Sequence, residues 1–176
     1  LVAVFATVEG EIEVEDDGTY PVNFPKNTTA TRADRKLNAV SLSAASGEKQ
    51  TLNVTGSKVY NDLTTKESNY LKCQPGESLT AELSYTGTWM HGYVFIDENN
   101  DKQFSFVEGS TDQSNTEVKS FSFYSGNFNN DASGYNSAGS YLTGNSRNTM
   151  ACPSFLAPAE SGTYRIRFKV DWNSID

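Results

Sequence analysis

The segment at residues 164–172 reads YRIRFKVDW, and its pattern decides the fold class. Bulky apolar or aromatic residues occupy every second position, from Tyr164 to Trp172, with a charged residue between each pair. Side chains along a β-strand point alternately to opposite faces, so this alternation predicts a strand with one face toward a core. Residues 79–85 alternate in the same way after the Pro75-Gly76 turn pair, which predicts a second two-faced strand.

Residues 88–97 read TWMHGYVFID, with bulky residues at nearly every position. Such a run predicts a central strand covered on both faces. Weaker strand patterns recur between turn residues, and no window shows a helical apolar stripe, so the sequence predicts an all-β, antiparallel β-sandwich, jelly-roll-like, with little helix. The length predicts one domain, residues 1–176. The weaker strands are expected at residues 2–8, 36–43, 50–54, 58–60, 70–73 and 118–124.

The charge balance narrows the partners that the chain can take. The formal net charge is −8 and the sequence pI is about 4.7, with the basic residues scattered along the chain. Nucleic-acid binding requires clustered Lys and Arg, so this balance argues against nucleic acid and against anionic membranes. No apolar run approaches the roughly 20 residues needed to cross a bilayer, so no membrane insertion is expected. Glycans, cations and other proteins remain as partners.

The acidic turn after the central strand carries side-chain oxygens at every second residue. Asp97, Asn99 and Asp101 occupy positions 1, 3 and 5 of a calcium-loop spacing, and Glu108 occupies position 12. A hard cation such as Ca²⁺ takes six to eight oxygen ligands, so these four residues are candidate metal ligands. Lys102 stands at position 6, where such loops carry glycine. An acidic, Asn-rich turn without metal is the alternative.

Residues 125–148 are rich in Gly, Asn, Ser and Tyr and almost free of aliphatic side chains. A segment of this composition predicts a long loop, which is either irregular or functional. Tyrosine rings offer flat apolar faces with a polar edge, which suit sugars. We therefore take Tyr124, Tyr135, Asn136 and Tyr141 as candidate ligand-binding residues.

Catalytic signatures are few in this sequence. His91 is the chain's one histidine and lies within the apolar central strand, which is more typical of a buried, hydrogen-bonded residue than of a catalytic base. The sequence has no GxSxG, P-loop, dinucleotide or HExxH motif, so no catalytic residue is predicted. A pair of glycosidase carboxylates is not excluded.

Two cysteines, Cys73 and Cys152, lie far apart without CxxC spacing. They are candidates for one long-range disulfide, and two buried, reduced thiols are the alternative.

Three stretches together carry a resemblance to a known type of module. They are GTWMHGYVFIDENNDKQFSF from Gly87, the acidic turn within it, and PSFLAPAESGTYRIRFKVDWNSID from Pro153. They resemble a β-sandwich module of secreted and surface proteins of Bacteroides-type gut bacteria, often attached to glycan-degrading enzymes and similar in pattern to GEVED-type domains. The resemblance covers about the C-terminal half. In that family the turn reads IDxDNDGxF, from which this chain departs at Asn99 and Lys102.

This resemblance implies export to the cell surface or beyond and an association with carbohydrate breakdown. Together with the composition, it predicts a non-catalytic accessory module of a secreted or cell-surface bacterial protein, on the outer-membrane or periplasmic side, that binds glycan through residues 125–148. A structural or protein-interaction domain that docks another surface protein is the alternative, and a small glycan hydrolase is the third. A shallow aromatic platform would favour the first, and a pocket with two convergent carboxylates the third.

Overall fold

A computed structural model describes residues 2–8, 20–22, 26, 28–88, 90–123, 133–143, 147–171 and 175. The described chain is all-β, with no α-helix and a single 3-10 turn at Glu67–Asn69. The strands are β1 (Val2–Val8), β2 (Lys36–Ala44), β3 (Lys49–Asn53), β4 (Asn61–Asp62), β5 (Leu71–Cys73), β6 (Ser78–Thr88), β7 (His91–Ile96), β8 (Val118–Ser122), β9 (Ser133–Tyr135), β10 (Tyr141–Thr143), β11 (Arg147–Leu156) and β12 (Gly162–Asp171).

Two main sheets pack against each other as a β-sandwich, which confirms the predicted fold class. The large sheet has the order β4-β1-β12-β7-β8, and β5 pairs with β1 beside β4. Its pairs are antiparallel except that β4 and β5 run parallel to β1. The small sheet has the antiparallel order β11-β6-β2-β3. Strands β9 and β10 pair with each other as an antiparallel hairpin, which is a separate, two-stranded third sheet.

The alternating strands build the core between the two sheets. In β6, the residues at alternate positions from Leu79 to Tyr85 are buried, while Thr80 and Glu82 are exposed. The apolar positions of β12 face the same core from the large sheet. Burial of such side chains contributes about 1.5–3 kcal/mol each, so this layer is the main source of stability. Its fully buried members include Val40, Leu42, Leu79, Leu83, Val94, Ile96, Ile166 and Phe168.

Strand β7 is buried at every position, as the sequence predicted for a central strand. The predicted range was nevertheless too long, because Thr88 ends β6 in the small sheet and β7 begins at His91 in the large sheet. The chain therefore crosses between the sheets within the apolar run. Gly87 stands at this crossing with φ of 130°, a conformation that favours glycine.

A second apolar layer covers the outer face of the large sheet. Tyr93 and Phe95 of β7 lie beneath Phe104 and Tyr20, with ring centroids of Phe95 and Phe104 5.8 Å apart. The positions of β12 between its apolar residues enter this layer, because Arg165 is only 1% exposed and Lys169 is also buried. The charged face of β12 is therefore partly covered by other parts of the chain: Arg165 and Lys169 are buried, whereas Arg167 and Asp171 are half-buried.

Three expectations are corrected by the structure. The strand predicted at residues 58–60 is absent, because Lys58 forms only an isolated bridge with Thr29 and β4 begins at Asn61. Residues 125–148 are not wholly loop, since they contain β9, β10 and the start of β11. Strand β11 was not among the predicted strands, and its pairing with β6 shifts between Cys152 and Phe155. Pro153 lies in that interruption, as expected for a proline in an edge strand.

The candidate disulfide does not form in this structure, because Cys73 and Cys152 are both buried free thiols. Cys73 lies in β5, which contacts β1 and β2, whereas Cys152 lies in β11, which contacts β7 and β8. β5 lies beside β1 at one edge of the large sheet, whereas β11 belongs to the small sheet, so the two thiols lie in different sheets and do not pair. Burial raises the pKa of Cys73 to about 11 and that of Cys152 to about 12.

Candidate functional site

The acidic turn that follows β7 forms the first candidate site. Asp97 comes directly after the buried end of β7 and is itself fully buried, and its backbone N–H donates to the carbonyl of Arg165 at 3.0 Å. Because the large sheet fixes Asp97 in this way, the carboxylate is held at a defined place at the sheet's end. The turn then folds back over this carboxylate.

Backbone amides close the turn around the carboxylate of Asp97. Its Oδ1 accepts from the N–H of Asp101 at 3.2 Å, and its Oδ2 accepts from the N–H of Lys102 at 3.0 Å. Asn99 Oδ1 also accepts from the N–H of Asp101, at 2.9 Å. Lys102 has a φ of 66° and Asn100 one of 54°. Lys102 thus adopts the left-handed conformation for which this kind of loop normally uses glycine, and its side chain does not prevent the turn.

Three carboxylates converge inside this turn. One oxygen from each of Asp97, Asp101 and Glu117 lies within 4.8 Å of the other two. Glu117 comes from the segment just before β8, and both its oxygens accept backbone N–H groups, from Glu98 at 3.0 Å and Ser105 at 2.9 Å. Oxygen donors so arranged suit a hard cation such as Ca²⁺. We name Asp97, Asp101 and Glu117 the acidic group.

The acidic group differs from the ligand set predicted by spacing. Glu108 is exposed and lies outside it, and Glu117 holds the place that the spacing gave to Glu108. Asn99 supports the turn, because its Oδ1 accepts from the backbone N–H of Asp101 and its Nδ2 donates to Asp101 at 3.1 Å. Sequence spacing could not find Glu117, because the chain between it and Asp101 makes a long excursion before returning. Calcium binding stays a prediction for this group.

Tyr20 links the acidic group to the outer apolar layer. Its hydroxyl donates to Asp97 Oδ2, and its ring packs on Phe104 with centroids 5.2 Å apart. Burial, followed by the hydrogen bond to Asp97, raises the pKa of Tyr20, so the phenol stays protonated and remains a donor. The guanidinium of Arg165 stacks on the same ring, with Cζ 4.3 Å from the centroid.

Arg165 extends this network to the edge of the large sheet. Its Nη2 donates to Asp62 Oδ2 at 2.5 Å in a buried ion pair and lies 3.4 Å from the hydroxyl of Tyr60. Asp62 in turn accepts from the N–H of Thr64 at 2.9 Å through Oδ1. The carboxylate–tyrosine–arginine–carboxylate chain from Asp97 to Asp62 therefore ties β4, β12 and the acidic turn together beneath the surface.

The β9–β10 hairpin forms the second candidate site. Tyr135 and Tyr141 are paired across it, with ring centroids 5.3 Å apart and ring planes inclined by 63°. Both rings reach the surface, with Tyr135 41% and Tyr141 59% exposed. Two of the candidate tyrosines are thus brought together as one exposed aromatic pair. Tyr124 lies outside the described residues.

Asn136 shapes the turn of the hairpin. Its Oδ1 accepts from the N–H groups of Ala138 at 3.1 Å and Ser140 at 3.0 Å, and its backbone pairs with Ser140. Gly139 closes the turn at φ 77°. The side-chain oxygen of Asn136 therefore stabilises the hairpin, and Tyr135 and Tyr141 are its exposed aromatic residues.

Ser137 anchors the hairpin to the large sheet. Its N–H donates to the carbonyl of Phe121 at 3.0 Å, and its hydroxyl accepts from the N–H of Phe121 at 3.2 Å. Ser120 Oγ lies 3.1 Å from the same hydroxyl and donates to the carbonyl of Pro153 at 2.6 Å. The turn is thus fixed along the free edge of β8, close to the small sheet, and the tyrosine pair stands on a rigid support.

His91 is almost fully buried in β7, with its Nδ1 3.4 Å from the hydroxyl of Tyr93. This is the environment of a packed strand residue.

No protein-family model, curated protein or solved structure matches this chain. Within the described residues, no helix has the length and apolar character needed to span a membrane. The proposal below is therefore built on the geometry of the hairpin and on the chemistry of its residues.

Proposed function

We propose that this chain is a non-catalytic, carbohydrate-binding accessory module of a secreted or cell-surface bacterial protein, with its glycan site on the β9–β10 hairpin. The observation that carries the proposal is the exposed pair of Tyr135 and Tyr141, held on a hairpin that is hydrogen-bonded to the edge of the large sheet. The secreted or surface setting rests on the resemblance of the segments from Gly87 and Pro153.

The chemistry of the pair suits a sugar. Tyrosine gives a large amphipathic surface at low conformational-entropy cost, because it has only two side-chain torsions. The apolar C–H face of a sugar can stack on such a ring while its hydroxyls keep contact with water and with polar neighbours. Most of the other large aromatic side chains described are buried, so exposure of two adjacent rings distinguishes this part of the surface.

The hairpin that carries the pair has no charged side chain. Residues 133–143 read SGYNSAGSYLT and contain hydroxyls and one amide but no acidic or basic side chain. Neutral sugars are recognised by such groups, whereas anionic ligands need Lys or Arg. The local composition therefore supports a neutral glycan as the partner.

The same features weigh against the two other functions that the sequence left open. If the chain were a structural or protein-interaction domain, we would expect the aromatic rings of this region to be buried, whereas Tyr135 and Tyr141 are exposed. A hydrolase needs carboxylates free to reach a substrate, but Asp97 and Glu117 each use both oxygens to accept hydrogen bonds within the fold. Both side chains are also buried, so this group of carboxylates does not resemble a glycosidase pair that faces a substrate cleft.

A glycan-array screen tests the proposal. Wild type is compared with the Tyr135→Ala/Tyr141→Ala double variant and with Phe106→Ala, a matched control that removes an exposed aromatic ring outside the hairpin. We expect selective binding by wild type and Phe106→Ala and loss of binding by the double variant, with melting temperatures recorded to show that each protein folds. No binding across a broad array, or binding that the double variant keeps, would contradict the proposal.

A further inference from the structure

We infer that the hairpin takes one sugar ring at a chain end or branch of a soluble, neutral glycan, and not the flat face of a crystalline polysaccharide. The inference rests on the proposed function and adds the class of ligand. It depends on the angle between the two tyrosine rings, on their unequal exposure and on the absence of charge between residues 133 and 143.

The tyrosine pair is not the shallow, flat platform that the sequence led us to expect for a glycan-binding module, because its two rings are steeply inclined to each other. Stacking of a rigid, planar ligand on two rings requires the rings to be nearly coplanar, but the planes of Tyr135 and Tyr141 are inclined by 63°. Their centroid separation of 5.3 Å is that of two rings in direct contact. A ligand plane that lies parallel to one ring therefore meets the other ring at a steep angle, and only one ring can stack on a given sugar.

The exposure of the rings assigns their roles. Tyr141 is 59% exposed and offers the larger open surface, so we assign stacking to its ring. Tyr135 is 41% exposed and contacts Tyr141 edge to face, so it holds the orientation of that ring and borders the site on one side. A bordered site of this shape fits a single ring with free space around it, as at a chain end or branch.

The rigidity of the support favours a preformed site. Asn136 and Ser137 fix the turn by hydrogen bonds within the hairpin and to β8. Little ordering is then needed on binding, which lowers the entropic cost. Flattening the pair against a crystal surface would break the contact between the rings, at a cost of about 0.5–1.5 kcal/mol, so a flat surface is the less favourable ligand.

Two binding formats and three single variants test the inference. Affinity gel electrophoresis measures retardation by soluble xyloglucan, mannan and starch, with polygalacturonate as an anionic probe, and pull-down measures adsorption to microcrystalline cellulose and chitin. We expect retardation by at least one neutral soluble glycan and no adsorption to the crystalline solids. Tyr141→Ala should lower affinity at least about tenfold, Tyr135→Ala should lower it less, and Tyr141→Phe should retain most of it.

The possible results separate the inference from the proposed function. Adsorption to cellulose or chitin that Tyr141→Ala abolishes would overturn the inference and leave glycan binding in place. Equal losses from both alanine variants, or preferential retardation by polygalacturonate, would likewise overturn only the assigned ligand class or ring role. Binding that neither alanine variant changes would overturn the inference and the hairpin site together, and silence in both formats would overturn the proposed function.

Discussion

The buried ion pair between Arg165 and Asp62 gives the sharpest test of how the outer layer is held together. We predict that Asp62→Asn destabilises the fold substantially. The substitution keeps Oδ1, which accepts from Thr64, and preserves the volume of the side chain. It removes the negative charge that faces a guanidinium only 1% exposed. The effect of the variant therefore reports the lost charge and not a cavity.

The magnitude follows from the surroundings of Arg165. Removing one partner of a fully buried ion pair costs about 3–5 kcal/mol. Asp62 is 24% exposed, so water reaches that end of the pair. The ring of Tyr20 at 4.3 Å and the hydroxyl of Tyr60 at 3.4 Å also remain beside the cation. These features reduce the expected loss to about 2–3 kcal/mol, which corresponds to a melting temperature lower by about 4–12 °C in a domain of this size.

Thermal unfolding followed by circular dichroism, with urea titration in parallel, measures this loss. Asp34→Asn is the matched control, because Asp34 pairs with Arg32 on the open surface and its removal should leave the melting temperature unchanged. A double-mutant cycle with Arg165→Met isolates the pairwise contribution. A drop for Asp62→Asn as small as that for Asp34→Asn would refute the argument that the pair stabilises the outer layer.

Four further predictions concern the core and the acidic turn. Because burial raises the pKa of Cys73 to about 11 and that of Cys152 to about 12, both thiols should resist a thiol reagent at neutral pH in the folded chain, and rapid native labelling would contradict this. The pKa of each thiol is higher in the folded chain than in the unfolded chain, so the thiols contribute their full stability below about pH 9. This contribution is lost as the pH rises toward 12, so the urea midpoint should fall over that range. The fall should be less steep in Cys152→Ala, which lacks one of the two thiols. Gly92→Ala would place the new Cβ 2.5 Å from Met150 Sδ, so we expect the free energy of unfolding, measured in urea, to fall by about 1–3 kcal/mol. An unchanged urea midpoint would contradict the tight packing between the two sheets at this position. Calcium at a hundredfold excess over its Kd should stabilise wild type by about 2.7 kcal/mol relative to chelator, and Asp101→Asn should abolish that difference; identical wild-type melting curves would contradict calcium binding.

Local periodicity was sufficient to predict the sandwich. A few consecutive residues are enough to detect the alternation in β6 and β12 and the apolar run in β7. This is because successive side chains of a strand point to opposite faces, whatever the rest of the chain does. Strand β11 was not predicted because Pro153 and the register shift interrupt its alternating pattern. Strands β9 and β10 were not predicted because three polar residues are too few to show a periodic pattern.

Long-range contacts account for what the sequence could not predict about the sites. The spacing placed Asp97 and Asp101 in the acidic turn, but Glu117 joins them only because the chain returns to the start of β8. The burial of Arg165 likewise depends on Tyr20 and Asp62, which approach it from distant parts of the chain. Composition named Tyr135 and Tyr141 as candidates, whereas their pairing and ring angle are properties of the folded hairpin.

Amide hydrogen exchange gives the most direct test that the β9–β10 hairpin is a glycan site. Exchange is measured by mass spectrometry on the intact chain, with and without a mixture of soluble neutral polysaccharides, and repeated with the Tyr135→Ala/Tyr141→Ala variant. The proposal predicts slower exchange in peptides that cover residues 133–143 and no such change in the variant. Protection confined to other segments, or unchanged exchange throughout the chain, would contradict it.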